Sequence, residues 1–99
     1  MLETTAVLDL LRESMRSLRR SGIIEADVEV EPDTVLLGEG SSLDSMGFVT
    51  FVTDVEERLN RATGEDLYIV LTELEERYPG AAALTASMFA GYLVALSGR

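Results

Sequence analysis

The residues able to do covalent chemistry in this chain are few. There is no Cys, no His and no Lys, which removes thiol nucleophiles, imidazole general bases and Cys/His zinc sites at once. A hydrolase built on Ser45 would lack both a histidine base and a Gly-x-Ser-x-Gly elbow. The pair Gly38 and Gly40 does not extend to a dinucleotide motif, because Leu43 stands where its third glycine would fall. The alternating acids Asp27, Glu29, Glu31 and Asp33 do not make a calcium loop, since an EF-hand counted from Asp27 needs Gly where Pro32 stands and Glu where Gly38 stands. No metal, nucleotide or catalytic site is expected. What remains is Ser45, which follows Asp44 at the end of the segment Gly38, Gly40, Ser41 and Ser42 and precedes Met46.

Four amphipathic segments would have to position that serine. Leu8, Leu11, Met15 and Leu18 fall on one face of a helix over Thr5–Ser21, with Thr4 or Thr5 as its cap and Gly22 as its stop. Arg12, Arg16 and Arg19 share a side of it and read as a solvated face. Asp44 is the expected N-cap of a second helix, in which Phe48, Val52, Val55 and Leu59 step by four, three and four, with Gly64 beyond its end. Residues 65–78 carry both a strand-like run, Leu67 to Thr72, and helical spacing at Leu67, Leu71, Leu74 and Tyr78. They are predicted to be a helix, because a lone strand would have no partner. Thr85 caps a last helix with Phe89, Leu93 and Leu96 on one face and Met88 and Tyr92 beside them. Residues 23–43 hold no helical period but many apolar side chains, so they are expected to form a long connection that partly packs on the bundle. The fold class predicted is all-α, a four-helix bundle with a long loop between helices one and two.

Ninety-nine residues suffice for a single domain spanning 1–99. Eighteen acids against eight bases leave a formal charge of −10, which repels nucleic acid and anionic lipid and favours basic partners. Residues 1–22 carry +1 of this and residues 23–99 carry −11. No apolar run reaches the length of a membrane span and the start of the chain lacks a basic leader, so the expectation is a cytoplasmic protein, without membrane insertion and monomeric by default.

The tripeptide Asp44-Ser45-Met46, set at the start of the second of four helices in a short acidic chain, resembles the attachment motif of acyl and peptidyl carrier proteins, where the sequence is Asp-Ser-Leu. The resemblance extends over nearly the whole chain and includes Val55, Glu56, Glu57, Arg58 and Leu59. Met in place of Leu is a mild departure, both being unbranched at Cβ. The resemblance implies a bundle of acyl-carrier type. It also implies that a phosphopantetheinyl transferase attaches 4'-phosphopantetheine from coenzyme A to Ser45, and that acyl groups then ride as thioesters on the arm in fatty acid, polyketide or related biosynthesis. The protein itself would catalyse nothing.

Physical chemistry is consistent with that attachment point. A serine at a first helical position is exposed, and its phosphodiester would lie near unpaired N–H groups at the positive end of the helix dipole. Gly47 costs about 1 kcal/mol in a helix relative to Ala, so it either admits close approach of the arm or a partner, or is neutral in the first turn. The acids Asp54, Glu56 and Glu57 resemble the family's docking surface for basic acyl-loading and acyl-transfer enzymes, although Thr50 and Thr53 stand where a further acid is common. Phe48, Phe51, Val52, Val55 and Leu59 are core positions, in an interior that in this family can shelter an acyl chain. The predicted length of the third helix, against the brief one of common fatty acid carriers, points to a specialised pathway. The alternative reading is an unmodified interaction module of the same fold that docks a basic partner through its acidic second helix.

Overall fold

A computed structural model describes residues 2–25 and 27–98. The order of elements is α1 (Thr4–Arg20), β1 (Val35–Gly38), α2 (Ser45–Thr63), α3 (Leu71–Arg77), β2 (Ala83–Thr85) and α4 (Ala86–Ser97). α1 packs against both α2 and α4, and α3 lies against α4. The apolar periods place the core: Val7, Leu11, Met15 and Leu18 from α1 meet Phe51, Val55 and Leu59 from α2 and Phe89, Leu93 and Leu96 from α4. The ring of Phe89 sits between Phe48 and Phe51, with centroids 6.4 and 6.2 Å away. Among the described residues no helix is long and apolar enough to cross a membrane.

Helix ends follow local chemistry, except that α1 and α3 start without a side-chain cap, α3 after Val70. α1 is capped by Glu3 without a side-chain bond, not by Thr4 or Thr5, which lie inside the helix. Its other end closes through Gly22 at φ 78°, with Gly22 N–H bonded to the Arg19 carbonyl and Ile23 N–H to that of Leu18. That is the Schellman pattern. α2 likewise stops at Gly64, whose N–H donates to the Asn60 carbonyl. Thr85 caps α4 by accepting from Met88 N–H at 3.3 Å.

The described residues are mostly helical and hold the four helices expected, but two further expectations are corrected. The chain is not all-α: β1, inside the long connection, pairs antiparallel with β2 just before α4, Val35 opposite Thr85, Leu37 opposite Leu84 and Gly38 opposite Ala83. A strand near one helix start found its partner near another, which a local reading could not pair. Gly38 has φ 110°, and a Cβ there would lie 2.9 Å from the Ala82 carbonyl oxygen, so the close pairing needs glycine. The connection continues the same work, its Thr34 and Pro32 carbonyls accepting from Ala86 and Ser87 N–H groups in the first turn of α4. Ile24, Val30 and Leu36 are buried, whereas Ile23 and Leu37 stay exposed.

The second correction concerns residues 65–78. Helix forms only over Leu71–Arg77, and residues 66–70 run without regular structure. Tyr68, Ile69 and Val70 are aromatic or β-branched and favour extended backbone, and α2 provides what that backbone needs. Asn60 donates through Nδ2 to the Leu67 carbonyl at 3.0 Å and accepts Leu67 N–H on Oδ1 at 2.7 Å. The Ile69 N–H reaches Glu56 Oε2 at 2.8 Å, and Val70 N–H reaches the Tyr92 hydroxyl at 3.1 Å. The third helix is seven residues long, so the pointer to a specialised pathway that a longer helix supplied falls away.

Candidate functional site

The start of α2 is built by Leu43 and Asp44. Leu43 is buried and anchors the chain, and its N–H is held by Ser41 Oγ, which in turn donates to the Leu36 carbonyl within β1. Asp44 adopts extended backbone and accepts Gly47 N–H on Oδ1 at 2.6 Å, while its carbonyl takes Phe48 N–H. This satisfies two of the first amides and leaves those of Ser45 and Met46 without a protein acceptor among the described residues. Ser45 is the first residue of the helix, and it is exposed.

Gly47 is explained from within. It is buried, and a Cβ on it would lie 3.1 Å from Asp44 Oδ1 and 3.6 Å from Leu43 Cδ2. The close approach it permits is that of the cap and its neighbour. Two depressions include residues at or near this helix start. One, about 430 Å³, lies between the Gly22–Glu25 turn and Ser42, Asp44 and Gly47. The other, about 260 Å³ and largely apolar, lies between Phe48, Leu37 and Gly38 on one side and Leu71, Leu74, Tyr78 and Met88 on the other.

The predicted docking acids are brought to α2's surface but are already engaged. Asp54 Oδ2 accepts from Arg58 Nε at 2.7 Å, Glu57 Oε1 from Arg61 at 2.6 Å, and the half-buried Glu56 holds the Ile69 amide. Three acids and two arginines leave α2 a formal charge of −1. The arginines of α1 act inside the molecule as well. Arg12 Nε donates to the Val30 carbonyl at 2.9 Å and Arg19 lies 3.4 Å from Asp27, so they fasten the 27–31 segment along α1, while Arg16 pairs with Glu13.

Residues that periodicity passed over lie beside Ser45. Met46 and Val49 are apolar yet out of phase with the buried positions Phe48, Phe51, Val52 and Val55, and they are exposed. That phase mismatch is the signal that could have singled them out. Comparison with protein-family models, with curated proteins and with solved structures finds no match to this chain.

Proposed function

We propose that the chain is an acyl carrier protein that holds acyl groups on a 4'-phosphopantetheine arm attached to Ser45. The observation that carries this reading is the setting of Ser45: an exposed hydroxyl on the first residue of a helix whose cap, Asp44, turns its carboxylate onto Gly47 and leaves the Ser45 and Met46 amides open. A phosphodiester on that hydroxyl would lie near the positive end of the helix dipole, where the Ser45 and Met46 amides have no acceptor among the described residues. When bound, the arm supplies the thiol that a chain without cysteine lacks. The residues present fit such a group, because Ser45 is exposed and its amide and that of Met46 have no acceptor among the described residues.

In this reading the bundle is of acyl-carrier type, with the small sheet as an addition that steadies the connection ahead of Ser45. The partners are a phosphopantetheinyl transferase and the acyl-loading and acyl-transfer enzymes that visit the arm in turn. The experiment is to incubate the purified chain with coenzyme A and a broad-specificity phosphopantetheinyl transferase, beside a Ser45→Ala control, and read intact mass. The expected result is gain of one phosphopantetheinyl group by the parent and none by the control. No gain with several transferases would overturn the reading and leave an unmodified docking module.

A further inference from the structure

Oxidation of a thioether follows its exposure, and the methionines of this chain differ sharply in it. Met46 is 80% exposed, whereas Met15 is 2% exposed on the core face of α1. Met88 is half-buried, and its Sδ accepts the Thr85 N–H at 3.5 Å inside the capping box of α4. Met1 lies outside the described residues. With no cysteine in the chain, no thiol competes for an oxidant. Met46 is therefore the described methionine whose sulfur is open to reaction. Its backbone is fixed in α2, the carbonyl accepting the Thr50 hydroxyl at 3.0 Å, and its side chain is not part of the core cluster. A change of that side chain leaves the packing of the bundle as it is.

Position gives the reaction a consequence, because Ser45 and Met46 are the first two residues of α2 and both are exposed. We propose that Met46 is a reversible oxidation site that sets how readily Ser45 accepts its phosphopantetheine group. The site rests on exposure, and its consequence rests on the carrier reading. The oxidant is a peroxide. The Met46 sulfur attacks one peroxide oxygen, and the S–O bond forms as the O–O bond breaks, with sulfur oxidised by two electrons. The hydroxide released takes the proton from the sulfur-bound oxygen and leaves as water. A methionine sulfoxide reductase reverses the change, a dithiol being oxidised to the disulfide as the oxygen departs in water. The sulfoxide is polar and chiral where a flexible apolar chain stood. An enzyme that reaches the Ser45 hydroxyl meets this side chain one residue on, and covering a polar group there costs more than covering an apolar one.

The test treats the purified full chain with dilute hydrogen peroxide, removes the peroxide and cleaves after arginine. With no lysine present, the four methionines fall in separate peptides, residues 1–12, 13–16, 21–58 and 78–99. Gain of one oxygen should appear in peptide 21–58 about tenfold or more faster than in 13–16, and faster than in 78–99. Circular dichroism and Tm should keep their parental values while only peptide 21–58 is oxidised. Equal rates in 21–58 and 13–16 would overturn the site. Peptide 21–58 also holds Ser45, so its mass reads oxidation and attachment together. With coenzyme A and a phosphopantetheinyl transferase, the oxidised chain should gain the group about fivefold more slowly. Sulfoxide reductase should restore the rate. Met46→Gln should be slow without peroxide, and Met46→Leu should react at one rate before and after peroxide. Parental rates in both the oxidised chain and Met46→Gln would overturn the control of Ser45. No attachment to the untreated chain would overturn that control together with the carrier reading, while the peptide masses judge the oxidation site by themselves.

Discussion

Asp44 and Ser45 divide one helix start between them. Asp44 satisfies the Gly47 amide and so holds the first turn, and Ser45, freed from that duty, is exposed to solvent. Asp44→Ala should therefore cost about 1 kcal/mol of stability, measured by urea unfolding, and Asp44→Asn much less, because the cap tolerates either side chain. Ser14 shows the opposite situation. It is fully buried on α1 with its hydroxyl unpartnered among the described residues. Ser14→Ala removes a buried polar group without a bond and raises helix propensity, and should stabilise the fold by about 1 kcal/mol in the same assay.

The element that departs most from its local pattern is the stretch before α3. Among the described residues its extended backbone has no strand beside it, and side chains of α2 stand in for one: Asn60 clasps both polar groups of Leu67, and Glu56 takes the Ile69 amide. If those bonds hold the segment, Asn60→Ala should speed hydrogen exchange of the Leu67 amide by about tenfold or more, while core amides of α1 and α4 keep the parental rate. Equal acceleration throughout would mean that the bond supports global stability and not this segment. Glu56 belongs in the same account, because its carboxylate is spent on the Ile69 amide of this segment.

Taken whole, the molecule has a radius of gyration of 12.5 Å and confines a net charge of −10 within it. The ion pairs seen among the described residues lie largely at the surface, and even that of Asp54 with Arg58 is about a quarter exposed. Exposed pairs contribute little, so screening them costs less than screening the net self-repulsion gains. Raising NaCl from 10 mM to 0.5 M should accordingly raise Tm by about 4 °C or more, which for a domain of this size corresponds to about 1 kcal/mol. A fall in Tm would show that the local pairs outweigh the net repulsion.

The amino-acid sequence by itself determined the three long helices and their buried faces, because Leu8, Leu11, Met15 and Leu18, then Phe48, Val52, Val55 and Leu59, then Phe89, Leu93 and Leu96 each repeat at the helical period, and Asp44, Thr85, Gly22 and Gly64 mark ends through bonds between near neighbours. It also determined where Ser45 stands, since a capped first turn is a local event. Only the tertiary structure decided the pairing of β1 with β2 and the extended course of residues 66–70, because both depend on partners far along the chain: Ala83 to Thr85 for one, Asn60, Glu56 and Tyr92 for the other. The same holds for the acids of α2. Their residue types suggest a free charged face, and the neighbours that neutralise or occupy them, Arg58, Arg61 and the Ile69 amide, are set by folding.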